Sequence, residues 1–174
     1  MKTLLHICCG PCSLYCIDSL KNEGIEPFGL FANPNIHRFD EYLRRMQSTR
    51  QACAWKGIKL DIIDRYEEDR WLKFSPDDRS RCIMCYETRL TMTADYCTAN
   101  GFDSFTTSLL VSPYQQHDLI REIAEKIAAA KGVRFLYRDF RPGFREGQTQ
   151  ARLAGMYRQK YCGCVHSIAE GAKK

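Results

Sequence analysis

Residues 4–12 have the sequence Leu4-Leu5-His6-Ile7-Cys8-Cys9-Gly10-Pro11-Cys12. The apolar start of this stretch predicts a short buried strand. Gly10 permits a tight turn, and Pro11 suits the start of a helix, which we expect from Cys12 to about Glu23. Three thiols therefore lie where a strand meets a helix N-terminus. Ligands bind at such junctions in open α/β sheets, and a helix N-terminus favours thiolates, so these cysteines are candidate metal ligands or nucleophiles.

Strand and helix patterns alternate along the rest of the chain. We predict strands at 26–32, 58–63, 102–111 and 133–137, and helices at 39–56, 82–100, 114–131 and from Phe144 or Arg145 onward. The polar segment 64–81 is expected to hold a short helix and a loop. This alternation predicts an α/β fold, a Rossmann-like parallel sheet of about five strands with helices on both faces. We expect one domain over residues 1–174.

The composition limits the kinds of binding partner and the cellular compartment that we expect for this protein. The chain has 26 Lys/Arg, 21 Asp/Glu and ten cysteines, and residues 131–174 hold ten Lys/Arg against three acids. This basic C-terminal third favours a polyanionic partner, the alternative being a solvated face. No stretch is apolar and long enough to span a membrane, and the start lacks a signal-peptide pattern, so we expect a cytoplasmic protein with no membrane partner. In a reducing compartment, many cysteines favour metal or redox chemistry over structural disulfides.

Two pairs of cysteines have the spacing of metal ligands. Two residues separate Cys9 from Cys12, and two separate Cys82 from Cys85, which lets both thiolates of a pair reach one metal centre. The pairs lie far apart in sequence on different elements, unlike the compact knuckles of structural zinc modules. The first pair also lies at the ligand-binding edge of the expected sheet. Both arguments favour iron–sulfur, with zinc and metal-free dithiol chemistry as open alternatives.

A third group of thiols is Cys162-Gly163-Cys164. Gly163 would let the two sulfurs meet in a small, strained ring that is readily reduced. We interpret the group as a redox-active pair, with metal ligation as the competing interpretation. The remaining cysteines occupy apolar helix positions and are predicted to be small buried hydrophobic residues: Cys16, Cys53 and Cys97.

Six segments that follow one another along the chain carry a family resemblance. They are residues 4–12, Asn33-Pro34-Asn35-Ile36, Arg81-Cys82-Ile83-Met84-Cys85-Tyr86, residues 105–115, residues 139–147 and Tyr157-Arg158-Gln159-Lys160-Tyr161-Cys162-Gly163-Cys164. Together they cover nearly the whole chain and resemble the QueH family of epoxyqueuosine reductases. The resemblance implies an α/β fold related to nucleotide alpha-hydrolase-like domains. It also implies the reduction of epoxyqueuosine to queuosine at the wobble position of a tRNA anticodon, without cobalamin.

The same resemblance implies a cofactor and its ligands. The cofactor would be a [4Fe–4S] cluster with a second iron beside it, and the redox-active pair would be Cys162 with Cys164. The cluster ligands would be Cys8, Cys9, Cys82 and Cys85. Cys12 would then be available to the second metal. The alternative ligand set is Cys9, Cys12, Cys82 and Cys85. The partners implied are a tRNA with a queuosine-type wobble base and an electron donor.

The reaction adds two electrons and two protons and releases the epoxide oxygen as water. The dithiol can supply both electrons as it closes to a disulfide. A second metal acting as a Lewis acid, or Asp139 acting as an acid, would assist cleavage of the C–O bond. Cations meet phosphates and exposed rings stack on splayed bases. The residues predicted to contact the tRNA or its modified base are Arg138, Arg141, Arg145, Arg158, Lys160, Thr107, Ser112 and Tyr114.

Two predicted site positions have structural alternatives, and two other functions compete. Ser112 is equally explained as an N-cap before Pro113, and His6 is expected to be a hydrogen-bonded core histidine. The first competing function is a zinc-stabilised tRNA-binding module without redox activity. The second is a tRNA thiolation enzyme, which would need a phosphate-cradling Gly/Ser loop to use ATP. The first turn holds Cys-Cys-Gly-Pro-Cys instead, which counts against that enzyme.

Overall fold

The computed structural model describes residues 1–168. Residues 169–174 of the expected domain, which include Glu170, Lys173 and Lys174 of the basic C-terminal third, lie outside the described residues. One sheet is formed by the parallel strands β1 (Thr3–His6), β2 (Pro27–Phe31), β3 (Leu60–Ile62), β4 (Ser104–Thr107) and β5 (Arg134–Phe135). Their order across the sheet is β3-β2-β1-β4-β5.

β1 is the central strand of this sheet. Its residues are buried, and Thr3 lies opposite Pro27 of β2 on one side and Ser104 of β4 on the other. A strand covered on both faces is apolar along its length, which is why residues 4–7 lack an alternating pattern. His6 is a buried histidine as predicted, and its ring nitrogens lie 2.8 Å from Thr107 Oγ1 and 3.0 Å from Asn33 Oδ1.

The described helices form two layers around the sheet. The helices α1 (Gly10–Asn22), α2 (Phe39–Lys56) and α6 (Phe144–Leu153) pack together, whereas α4 (Ser80–Ala99) packs with α5 (His117–Lys131). The segment after β3 contains a single helical turn, α3 (Asp69–Leu72). The predicted class, a Rossmann-like parallel sheet with helices on both faces, is confirmed. None of the helices in residues 1–168 combines the length and apolar composition that a membrane crossing requires.

Gly10 acts differently from the prediction. It opens α1 itself, rather than forming a turn before it, and its φ angle is not positive. A Cβ at this position would lie 2.3 Å from the Ser48 carbonyl oxygen of α2. The Gly10 N–H also donates a hydrogen bond to Ser48 Oγ at 3.1 Å. The glycine is therefore required because α1 and α2 approach closely beside the cysteines.

The fourth strand is shorter than predicted. β4 ends at Thr107, because Thr107 Oγ1 accepts a hydrogen bond from the Leu109 N–H at 3.1 Å and starts a 3₁₀ helix over Ser108–Val111. The apolar run that suggested a longer strand is buried, but in helical backbone. A short apolar run fits a buried strand and a buried helical segment equally well, so its pattern could not separate the two.

The fifth α-helix begins at His117 rather than at Tyr114. The Tyr114 N–H donates to Ser112 Oγ at 3.2 Å, so this hydroxyl closes a local turn. Gln116, not Ser112, occupies the N-cap position of α5, and the N-cap alternative for Ser112 is therefore wrong. Strands β3 and β5 are also shorter than predicted, with three and two residues.

The order of the strands indicates where a ligand site is expected in this sheet. The chain leaves β1 toward β2 and β3, then returns to lie as β4 on the other side of β1. The carboxyl ends of β1 and β4 thus form the switch point of the sheet, where ligands bind in folds of this class. Cys8 follows β1, and Ser108 follows β4 at the same edge.

Candidate metal centre and the pocket beside it

The first thiol group is a compact cluster at the switch point. The sulfurs of Cys8, Cys9 and Cys12 all lie within 4.8 Å of one another, and all three residues are buried. The fold brings them together because Cys9 is the N-cap of α1 and Cys12 lies in its first turn. Thiolates are soft ligands that select zinc, copper(I) or iron–sulfur groups. The cluster can therefore bind a metal.

Hydrogen bonds divide the charge unequally among these thiols. Hydrogen bonds from Cys12 and Cys9 hold the pKa of Cys8 well below its usual range, with a further contribution from Ser108. Ser108 Oγ donates to Cys8 Sγ at 3.3 Å and accepts from the Cys8 N–H at 3.0 Å. Burial raises the pKa of Cys9, and the hydrogen bond with Cys8 raises that of Cys12. One negative charge is thus shared by three sulfurs, and a metal that bound all three would displace the remaining protons.

The second pair of cysteines lies on α4. Cys82 and Cys85 are half-buried and lie outside the compact group of three sulfurs. Cys82 lines the same pocket as Cys8 and Cys12, so side chains of both segments face one cavity. Cys85 is not among the residues that line this pocket, and Asn35 Nδ2 donates a hydrogen bond to its sulfur at 2.8 Å.

The C-terminal pair lines this pocket as well. Cys162 is exposed and Cys164 is buried, and both are free thiols. A hydrogen bond from Cys162 lowers the pKa of Cys164 to about 4, with Ser167 and Arg81 adding to the effect. The same hydrogen bond raises the pKa of Cys162. The pair therefore consists of one thiolate and one thiol.

One pocket of about 500 Å³ joins these groups. Among its walls are thiols from all three cysteine groups, together with neutral polar, aromatic and basic side chains. The predicted site residues on the wall are Cys8, Cys12, Cys82, Cys162, Cys164, Ser112, Tyr114 and Lys160. This volume is within the range of small-molecule sites. The pocket can hold a small molecule next to several sulfurs.

Other predicted residues lie away from the pocket wall. Arg141 Nε and Nη2 donate to the Asp139 carboxylate at 2.8 and 2.7 Å, and this pairing lowers the pKa of Asp139 to about 2. Arg138 donates to Glu23 at 2.6 Å. The residues that the structure does not bring to the wall are Cys9, Cys85, Thr107, Arg138, Asp139, Arg141, Arg145 and Arg158.

Buried arginines surround the thiols, and the sequence patterns missed them. The spacing of Tyr42, Leu43 and Met46 on one face of α2 leaves Arg45 off that face, but Arg45 is 1% exposed. Arg45 Nε donates to Glu41 at 2.8 Å, while Nη1 and Nη2 donate to the carbonyl oxygens of Cys162 and Tyr161 at 2.9 and 2.7 Å. The Glu41–Arg45 spacing of four residues on a helix is a signal that could have indicated the pair. Arg45 thus holds the C-terminal cysteine segment against α2.

Arg81 and Arg89 of α4 are the other two buried arginines, each 2% exposed. Arg81 acts on the ionisation of Cys164, and Arg89 contacts Asn35. Gln159 is a further missed residue: its Nε2 donates to Cys12 Sγ at 3.2 Å. No local pattern marks Arg89 and Gln159, because their partners Asn35 and Cys12 are distant in sequence. The motif segments quoted above do contain Asn35, Arg81 and Gln159.

The remaining cysteines are buried as predicted. Cys16 and Cys97 are 0% exposed and Cys53 is 2% exposed. Burial raises the pKa of each of these thiols. They are therefore small neutral components of the core rather than parts of the pocket.

Solved structures share this architecture at low sequence identity. A predicted subunit of tRNA methyltransferase from Methanocaldococcus jannaschii matches with a TM-score of 0.54 and 10% identity, covering 87% of this chain and 75% of that one. A deacetylase of teicoplanin biosynthesis matches with a TM-score of 0.55 and 11% identity, covering 86% of this chain and 82% of that one. These similarities support the fold alone.

Sequence comparison is more specific. The family model described as epoxyqueuosine reductase QueH matches residues 3–170. The Dehalococcoides mccartyi epoxyqueuosine reductase QueH is 35% identical, with 97% of this chain and 93% of that protein covered. The Thermotoga maritima protein of the same name is 30% identical over 98% of this chain and 92% of its own. The chain belongs to the epoxyqueuosine reductase QueH family, a family of oxidoreductases.

Proposed function

We propose that this protein reduces epoxyqueuosine to queuosine at the wobble position of tRNA anticodons, independently of cobalamin, with a [4Fe–4S] cluster and the Cys162/Cys164 pair. One observation carries the proposal: thiols from three separate segments line one pocket at the switch point of the sheet. Family membership supplies the reaction class, and the pocket supplies the sulfur chemistry that such a reduction needs.

The donor set at the switch point fits an iron–sulfur group. Cys8, Cys9, Cys82 and Cys85 would hold the cluster, and Cys12 would serve a second iron; the alternative set exchanges Cys8 for Cys12. The compact group of three sulfurs and the position of Cys82 on the same pocket wall support either set. When bound, such a group passes electrons one at a time at a potential set by its surroundings.

The C-terminal pair supplies both electrons of the reaction. When a thiolate and a thiol close to one disulfide, they release two electrons and one proton, so the epoxide takes its second proton from solvent as its oxygen leaves as water. Cys164 is the thiolate of the pair and Cys162 carries the remaining proton. An external electron donor then reduces the disulfide back to the dithiol. Asp139 is left outside this chemistry, because a pKa of about 2 keeps its carboxyl ionised.

The rim of the pocket suits an unpaired anticodon base. Tyr114 is 70% exposed, and its ring makes an edge contact with Phe144 at 5.9 Å between centroids. An exposed ring can stack on a splayed base, and Lys160, which lines the same pocket, can bind a phosphate. Ser112 on the same wall can hydrogen-bond the substrate. These residues would place the modified base over the thiols.

The deciding experiment is anaerobic purification with iron and sulfide quantitation, followed by an assay on tRNA that carries epoxyqueuosine. We expect a coloured, active wild-type protein. Cys82→Ser should lose both colour and activity, because a ligand on the pocket wall is removed. Cys97→Ser, which changes a buried core thiol, is the matched control and should keep both.

Two outcomes would contradict the proposal. A colourless protein that contains only zinc and binds tRNA would indicate the zinc-stabilised binding module instead. A colourless wild-type protein that nevertheless reduces the epoxide would show that the reaction does not need the cluster.

A further inference from the structure

Arg89 and Asn35 form a hydrogen-bonded chain that ends on a cysteine sulfur. Arg89 is 2% exposed and Asn35 is 0% exposed. Arg89 Nε donates to Asn35 Oδ1 at 2.7 Å, and Asn35 Nδ2 donates to Cys85 Sγ at 2.8 Å. The amide is thus oriented by the guanidinium on one side and presents an N–H to sulfur on the other.

The charge of Arg89 is balanced differently from that of Arg45. Arg45 pairs with the buried carboxylate of Glu41 at 2.8 Å. Within residues 1–168, no carboxylate oxygen lies within 4.0 Å of the Arg89 guanidinium. A buried cation without a counter-ion is unfavourable, and buried charges in proteins are normally paired. The hydrogen-bonded chain from the Arg89 guanidinium ends on the sulfur of Cys85, which a bound metal would hold as a thiolate.

Arg89 also reaches the C-terminal pair. A Cβ on Gly163 would lie 3.5 Å from Arg89 Nη2 and 3.2 Å from Arg45 Nη1. The backbone between Cys162 and Cys164 therefore packs on two guanidinium groups, of which only Arg45 has a carboxylate partner among the described residues. Arg89 therefore lies close both to the Asn35–Cys85 hydrogen bond and to the segment that carries Cys162 and Cys164.

We propose that Arg89, acting through Asn35, is a positioning residue that fixes the Cys85 sulfur and makes the thiolate-held iron group easier to reduce. The inference rests on the proposed function. An added electron makes an anionic metal–thiolate group more negative, so a nearby fixed cation stabilises the reduced state. A hydrogen bond to a ligating sulfur acts in the same direction.

The test separates the charge of the side chain at position 89 from its size. Wild type, Arg89→Gln and Arg89→Lys are reconstituted anaerobically with iron and sulfide, and the midpoint potential is read from a redox titration of the visible absorption. Arg89→Gln keeps an N–H donor for Asn35 but loses the charge, so its midpoint should become more negative. Arg89→Lys keeps the charge and should stay near the wild-type value. Arg121→Gln, which removes an exposed charge paired with Glu125 on α5, is the matched control and should leave the midpoint unchanged.

An unchanged midpoint in Arg89→Gln at wild-type iron content would overturn the inference, as would equal shifts in the Gln and Lys variants. If Arg89→Gln does not retain iron, the midpoint potential of Asn35→Ser tests the inference instead. This substitution breaks the hydrogen-bonded chain to Cys85 and leaves Arg89 in place. A more negative midpoint there supports the inference, and an unchanged one rejects it. A wild-type protein without iron would reject the proposed function together with this inference, whereas an iron-loaded wild type with an unresponsive midpoint rejects the inference alone.

Discussion

Cys162 and Cys164 differ in exposure and in charge although one residue separates them. The outer sulfur is a thiol, and the inner one is a thiolate stabilised by that thiol, by Ser167 and by Arg81. For a coupled pair, the apparent pKa values belong to the pair rather than to one residue. The first proton should therefore leave at low pH and the second well above the ordinary thiol range.

This asymmetry predicts alkylation of the pair under acidic conditions. With the pKa of Cys164 lowered to about 4, a thiolate is present at pH 5–6, where an ordinary thiol with a pKa of about 8.5 is almost fully protonated. Rates of iodoacetamide modification from pH 5 to pH 9, followed by peptide mapping, measure the effect. Cys162→Ala removes the hydrogen-bond donor, so the pKa of Cys164 should rise and modification at pH 5–6 should slow. Equal rates at pH 5–6 in the two proteins would exclude Cys162 as the source of the lowered pKa.

At the scale of elements, sequence patterns predicted those features that depend on local backbone. The bounds of α2 agree with the prediction at both ends, and its C-terminus is fixed locally because Gly57 ends it in the left-handed region, with φ of 65°. The predicted end of β4 was wrong because the strand is ended by a single side-chain hydrogen bond, from the Leu109 N–H to Thr107 Oγ1. Arg45 was misplaced because a buried guanidinium needs partners more than a hundred residues away, at Tyr161 and Cys162.

The contact between α1 and α2 gives a prediction at this scale. Gly10→Ala would place a Cβ 2.3 Å from the Ser48 carbonyl oxygen, so the two helices must separate. Overpacking of this kind costs about 1–3 kcal/mol, and each kcal/mol lowers Tm by roughly 2–4 °C in a chain of this size. Because Gly10 lies between Cys9 and Cys12, iron retention should fall as well. Thermal unfolding and iron content measure the two effects.

Gly101→Ala is the control for that substitution. Gly101 has a φ of 66°, and a Cβ there meets nothing within 4 Å. The change should lower stability by about 1–2 kcal/mol through backbone strain alone, with iron retention unchanged. Equal iron loss in both variants would mean that general destabilisation, and not helix separation beside the cysteines, releases the metal.

For the whole molecule, the basic C-terminal third divides into two kinds of charge. Arg138, Arg141, Arg145, Arg158 and Lys160 were predicted to contact the tRNA, but the sequence could not show which of these cations already have partners. Arg138 is paired with Glu23, and Arg141 with Asp139. Arg145, Arg158 and Lys160 are exposed, and Lys160 lies on the pocket wall. Ion pairs between distant segments follow from the fold, so charge counts alone could not separate these groups.

This division predicts which cations control tRNA affinity. Lys160→Ala and Arg158→Ala should each weaken binding and reduce the slope of log affinity against log salt by about 1, because each loses one phosphate contact and the counterion release that goes with it. Arg138→Ala should change the slope less, since Glu23 already neutralises that side chain. Filter binding of the tRNA at several salt concentrations gives all three slopes under one set of conditions. A slope in Lys160→Ala equal to that of the wild type would place the tRNA away from the pocket rim. An equal loss in Arg138→Ala would instead extend the RNA surface to the ion-paired arginines, because phosphate would then have to displace Glu23.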